Sequence, residues 1–244
     1  MSLEFLQVDQ AVEHGGRRPL ARSPMEGVAR AAGARFEVRE GWNVAVAYAT
    51  PTGATTSTVG FTDTSHLGKV EVRADVEVLP RVLAAAGLGA LSFGTALRRD
   101  DAWWCPVTPD RALALGDAPA LRARLEQAAA GVEGYVSVVD ITTTHAALTL
   151  TGPQARETFA RFTALDLRPR SAPVGAFRPG SVARSPGFVL REGEERYVML
   201  FGAALGEYVW EQVADAASHL GGAPVGVDSL PAIEAALEGV SAHA

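Results

Sequence analysis

The sequence predicts an α+β fold in which antiparallel sheets carry helices on one side. Three observations support this. VEVRADVEVLPRVLAAAG and LTLTGPQARETFARFTAL each run strand, turn, helix, and so form a weak internal repeat. Hairpin patterns, two alternating runs around a short turn, recur along the chain. The order strand, helix, hairpin, helix suggests antiparallel sheets with helices on one side.

The elements follow in order. Residues 1–22 are polar and Gly/Arg-rich and read as a loose leader. Over 34–50 the apolar side chains alternate at Phe36, Val38, Val44, Val46 and Tyr48, a hairpin with its turn near Glu40-Gly41. PTGATTSTVG at 51–60 is a Thr/Gly loop, and 67–73 is a strand. From Asp75 to Ala86, Val76, Leu79, Val82 and Leu83 fall at helical spacing, with Asp75 as N-cap and Gly87 as terminator. Pro80 fits that helix only in its first turn or as a kink.

AWWCPVTPDRALALG is a second hairpin turning at Thr-Pro-Asp. Asp117 opens the amphipathic helix APALRARLEQAAAG, with Leu121 and Leu125 on one face and Gly131 closing it. YVSVVDIT starts a second round, with a strand at 145–152 and a helix over PQARETFARFTAL that has Pro153 in its first position. Strands follow around 181–184, 187–190 and 196–201. The helix ALGEYVWEQVADAASHLGG then turns Val209, Trp210, Val213 and Ala217 inward, and PVGVDSLPAIEAALEGV forms a final helix.

Composition narrows the function classes. At 244 residues the chain can bury a full core. A formal charge of −6, with no basic cluster to offset it, argues against nucleic acid as a partner. Lys69 is the only lysine, and nearly all positive charge is arginine. A single cysteine, Cys105, excludes an internal disulfide and a multi-cysteine metal cluster. No apolar run has the length of a membrane span, and the N-terminus lacks a signal pattern, so a cytoplasmic location is expected.

One stretch raises a chemical question. GFTDTSHLGKVEVR (60–73) brings Asp63, Ser65 and His66 within four residues, ahead of the alternating run from Lys69 to Arg73. A triad, a metal site and a turn leading into a strand all contain such residues. A hydrolytic triad needs an exposed nucleophile, which nothing nearby supplies. Asp and Ser also cap turns through their own bonds to backbone N–H groups, so the structural reading stands by itself.

Four blocks then carry a resemblance. They are GARFEVREGWNVAVAY (33–48), GFTDTSHLGKVEVR, DDAWWCPVTPDRALALGD (100–117), and the pair ALTLTGPQARE and PVGVDSLPAIEAAL. In collinear order over about residues 22–240 they resemble the folate-binding domain of the glycine cleavage T-protein, an aminomethyltransferase, and its relatives in sarcosine oxidase. The resemblance is closest in form to the sarcosine oxidase gamma subunit. It implies two interleaved antiparallel-sheet and helix lobes, about 23–130 and 131–244, without the family's C-terminal barrel. It also implies that the Asp-x-Ser-His stretch is mainly structural.

The resemblance further implies a ligand site. The family holds the pterin of tetrahydrofolate by a carboxylate facing its amidine-like edge, which fixes orientation through two parallel hydrogen bonds. A second acid sits near the reacting nitrogen, where it can orient or transfer a proton. Carried over by position, Asp101 is the acid/base, Glu195 the anchor, Asp117 replaces an asparagine, and Phe188 replaces a tyrosine. Trp103 and Trp104 alternate across a strand, so one is core and the other, taken here as Trp104, lines the pocket. Pro231 stands where the family has an arginine, removing a charged hydrogen bond typically worth about 1.5–3 kcal/mol. Tetrahydrofolate is the implied cofactor, through a weakened site, and no metal is expected.

Each of these residues also has a plainer reading. Asp100-Asp101 after Arg98-Arg99 makes a solvated turn, Glu195 lies in the charge run REGEER of a hairpin tip, and Cys105 is a buried filler. Three functions follow from the two sets of readings. One is a folate-type one-carbon transferase. Another is a gamma-like subunit that positions flavoprotein and folate-domain partners of an oxidase complex. The third is a module that binds a small-molecule ligand without chemistry.

Overall fold

A computed structural model describes residues 20–49 and 58–230. The expected leader, most of the 51–60 loop, the final helix and Pro231 lie outside the described residues. Among the described residues the fold is α+β, built from three sheets.

The first is small. β1 (Ala21–Arg22) pairs in parallel with β3 (Trp42–Tyr48), and β2 (Ala34–Arg39) pairs antiparallel with β3. Helix α1 (Glu26–Ala31) lies between β1 and β2. The β2–β3 turn has Glu40 at φ 49° and Gly41 at φ 77°, the left-handed pair that a two-residue hairpin with the native twist needs.

Five strands form the second sheet, in the order β6-β7-β8-β5-β9, antiparallel throughout. They are β5 (Gly68–Ala74), β6 (Leu97–Arg99), β7 (Ala102–Thr108), β8 (Arg111–Gly116) and β9 (Val136–Asp140). Helices α2 (Leu79–Ala85) and α3 (Ala118–Ala130) cover its outer face, where Val70, Val72, Trp104, Leu121 and Leu125 are buried together. Asp117 caps α3, its side chain accepting from Ala120 N at 3.1 Å. The helix expected from Asp75 begins only at Leu79, after a turn in which the Asp75 carbonyl accepts from Val78 and Leu79. Pro80 is the reason: it has no N–H to donate, so it is accommodated in the first helical turn.

The third sheet has the order β11-β12-β13-β10-β4-β14. Its strands are β4 (Gly60–Asp63), β10 (His145–Thr151), β11 (Phe177–Val182), β12 (Ser185–Gly193), β13 (Arg196–Gly202) and β14 (Ala223–Pro224). Only β14 runs parallel to its neighbour. Helices α1, α4 (Ala155–Ala160) and α5 (Gly206–Ser218) cover its outer face, with Val209, Trp210, Val213 and Ala217 inward as the spacing predicts. The strand expected at 181–184 is in fact the end of β11 plus its turn. Ala183 and Arg184 both have positive φ, 47° and 64°, and neither residue advertises a turn.

The two large sheets face each other through a shared apolar layer. Trp103, Cys105, Leu113 and Leu115 come from one, and Ala147, Phe177, Leu190, Val198 and Leu200 from the other. Each large apolar side chain buried this way contributes about 1.5–3 kcal/mol, so this layer is a main source of cohesion between the sheets. Helices therefore lie outside and sheets inside. The sheets do not divide at residue 130, since β9 belongs to the five-stranded sheet and β4 to the six-stranded one. The chain crosses between them twice among the described residues, at 64–67 and at 141–144.

Candidate functional site

The side chains singled out from the sequence occupy very different surroundings. Asp101 is the second residue of the two-residue turn between β6 and β7, where Asp100 and Asp101 have φ 51° and 58°. Its side chain is fully exposed, at 103%, with Arg98 3.8 Å away. Its neighbour Asp100 pairs with Arg124 at 2.9 Å. Asp117 lies across from this turn, because Gly116 and Ala102 are in close approach, and its carboxylate is engaged as the α3 cap. The aspartates therefore share one corner of the five-stranded sheet.

The tryptophan pair divides between the two faces of β7. Trp104 is wholly buried under α2 and α3, with the Arg124 guanidinium 5.3 Å from its ring and its indole N–H unpartnered. Trp103 is the one that faces the other sheet, and its indole N–H is also buried without a partner. Phe188 packs on the same inter-sheet side, parallel to Phe177 at 5.3 Å, with the Arg111 guanidinium 5.9 Å from its ring. Cys105 lies in this layer too, and burial pushes its thiol well above the usual range.

Glu195 sits in the two-residue turn between β12 and β13. Its carbonyl accepts from Gly152 N at 3.0 Å, which docks the turn on the end of β10. One carboxylate oxygen, Oε2, is buried with no hydrogen-bond partner. The hydroxyl of Thr151, next to that docking point, is buried and unpartnered as well. Buried acceptors left open in this way are uncommon, because the desolvation cost goes uncompensated.

A second polar centre was not foreseen from the sequence as a unit. It is the crossing from β4 to β5, within the GFTDTSHLGKVEVR stretch. Asp63 accepts from Ser65 N at 2.9 Å, and the Ser65 hydroxyl accepts from Ala147 N at 3.2 Å. Ser23 reaches the same place, 3.4 Å from the Ser65 hydroxyl. Lys69 is 0% exposed, and its ammonium donates to the carbonyls of Ser65 and Leu67 at 3.0 and 2.7 Å. Burial raises the Asp63 carboxyl, opposed by the Ser23 and Ser65 hydrogen bonds. Burial also pushes Lys69 down to about 7, opposed by Asp63 and Asp140. His66 is pushed down to about 4, first by burial and then by the Lys69 charge. His66 is thus held neutral beside a capped turn whose Thr64 and Ser65 hydroxyls are buried. The signal that pointed here was the chain's single lysine, placed inside an alternating run.

Among the described residues no group of three or more His, Cys, Asp or Glu side chains could hold a metal ion. No helix among them is long and apolar enough to cross a membrane.

Comparison with known proteins adds the family. The chain matches the family model of the GCVT N-terminal domain over residues 25–237. Among solved structures it is similar to a chain of heterotetrameric sarcosine oxidase from Corynebacterium sp. U-96, with a TM-score of 0.66 at 23% identity, covering 84% of this chain and 98% of that one. It is also similar to the glycine cleavage system aminomethyltransferase T from Bartonella henselae, with a TM-score of 0.68 at 18% identity, covering 86% of this chain but 60% of that one. No curated protein sequence matches it. At these identities the two structures speak for the fold alone. The family match extends over most of the chain and agrees with the stacked antiparallel sheets: the chain belongs to the GCVT N-terminal domain family.

Proposed function

We propose that this chain is a T-protein-type domain whose tetrahydrofolate site is partly eroded, working in amine or one-carbon metabolism as a gamma-like component of an oxidase complex. A flavoprotein subunit and a folate-domain subunit are its proposed partners, and the cytoplasm its proposed location. The observation that carries this reading is the exposure of Asp101. An acid/base must be held against the reacting atoms, and a carboxylate standing free in solvent at a turn has no wall to hold a substrate against it. Asp117 is committed to the α3 cap, and its negative charge replaces a neutral amide. With Pro231 in place of arginine, a charge-assisted bond is also missing, which weakens binding by about one to two decades.

Tetrahydrofolate therefore fits these residues only in part, and no catalytic step is assigned to it. Glu195 favours the second reading, an active tetrahydrofolate-dependent transferase, or the same site turned to another small molecule. Its buried, open Oε2 is what an amidine-like edge would bind. Calorimetric titration of tetrahydrofolate into the pure protein separates the two. Weak or absent binding is expected, and Pro231→Arg alone should not restore it. A dissociation constant in the low-micromolar range or tighter would overturn the proposal in favour of the transferase.

A further inference from the structure

Both crossings of the chain between the two large sheets are tied to one residue. The side chain of Lys69 donates to the carbonyls of Ser65 and Leu67, which lie in the crossing from β4 to β5. Its backbone N–H donates to the Thr142 hydroxyl at 2.9 Å, and its carbonyl accepts from Ile141 N at 2.8 Å. Those two residues begin the return crossing from β9 to β10. Asp140 holds that crossing from the other side, accepting from the N–H and hydroxyl of Thr142. Close packing reinforces the knot, since a Cβ at Gly68 would lie 2.3 Å from the Gly116 carbonyl oxygen.

We propose that this double crossing is a proton-operated joint, in which the charge on Lys69 sets how firmly the two sheets are held together. Among the described residues the Lys69 ammonium makes its direct hydrogen bonds to two backbone carbonyls, with no carboxylate within ion-pair distance. Asp63 and Asp140 act on its charge only from farther away, so burial outweighs them. Any opening that lets water reach Nζ relieves that cost, but only while Nζ is charged. Acidification therefore favours the open joint, and loss of the proton favours the closed one. Burial pushes Lys69 down to about 7, which puts the transition near neutral pH.

Other charged groups face this lysine from several directions. Asp63 on β4 and Asp140 on β9 favour its charged form. His66 in the crossing and His145 on β10 both feel the lysine charge, which lowers them. Arg39 also lowers His66, and Arg111 lowers His145 while Glu71 raises it. Tyr48 approaches Asp63 from β3. Asp63 acts in the opposite sense to Lys69, because burial raises its carboxyl and rising pH then costs the closed form. A lysine-specific signal separates the two.

Because Lys69 is the only lysine, carbon-13 labelling of lysine puts one ε-carbon signal in the spectrum of the full chain. The expected result is a titration centred near 7. In the same samples, amide exchange at 64–67 and 141–144, corrected for its intrinsic pH dependence, reports the opening constant. That constant should fall by about tenfold per pH unit above the transition, as release of one proton requires. Lys69→Met should abolish this dependence. If the variant does not fold, the wild-type measurements decide alone. A lysine signal titrating near its ordinary 10.5, or an opening constant that ignores pH between 7 and 9, would overturn the proposal.

Discussion

Two aspartate-bearing turns of this protein, at 63–66 and at 100–101, differ in almost every physical respect. Asp63 is buried, bonded to Ser65 and close to a buried lysine. Asp101 projects into solvent from a hairpin tip, with an arginine 3.8 Å away on the same surface. Resemblance to a family had put the chemistry on Asp101 and the architecture on the other stretch. The contrast teaches that a carboxylate's weight comes from what surrounds it. In water, a neighbouring charge is worth little, whereas in the interior each lost partner leaves another group stranded.

The largest test of that contrast removes Asp63. Asp63→Ala strands the Ser65 N–H and deprives Lys69 of a nearby negative charge. A loss of about 1–3 kcal/mol in urea unfolding is expected, the usual cost of leaving a buried donor without its acceptor. A loss under about 1 kcal/mol would erase the contrast.

Next comes the pH dependence of stability. The folded-state pKa of Lys69 lies below its unfolded value, so between about 7 and 10.5 the unfolded chain binds more protons. Stability should therefore rise with pH through that window, by up to about 1.4 kcal/mol per unit, with the cost of the buried charge fully present below it. Urea midpoints across the window, compared with those of Lys69→Met, measure this. A wild-type slope no steeper than that of the variant would mean the lysine is solvated.

Smaller effects are expected at the other corner. Asp117→Ala should cost about 1 kcal/mol, because Ala120 N then loses its cap. Asp101→Asn should change stability by less than about 0.5 kcal/mol, since it is exposed and asparagine tolerates φ 58°. Thermal melts of the two variants side by side would show the difference. A cost for Asp101→Asn as large as that for Asp117→Ala would mean its turn is held by more than solvent.

Much of the fold was legible because its elements are locally determined. Asp117 before Leu121 and Leu125 is a helix start wherever it occurs, and α3 forms there. Glu40-Gly41 between alternating runs is a hairpin for the same kind of reason. Where local chemistry is silent, the elements fall elsewhere than the pattern predicts. Ala183 and Arg184 turn the chain without turn residues, because pairing of β11 with β12 forces positive φ on them. Helix α4 stops at Ala160, shorter than the pattern over 153–165, because its C-terminal end is drawn into turns that meet β11.

By itself, then, the sequence determined most of the longer strands and helices, the α+β class and the family, since these follow from periodicity, caps and collinear motifs. Tertiary structure alone decided which tryptophan faces the other sheet, that Asp101 is solvated, that one oxygen of Glu195 is buried and open, and that Lys69 ties both crossings. The physical reason is the range of the interactions involved. A cap or a turn is settled within a few residues, but burial and partnership depend on strands that meet only when the two sheets close on each other.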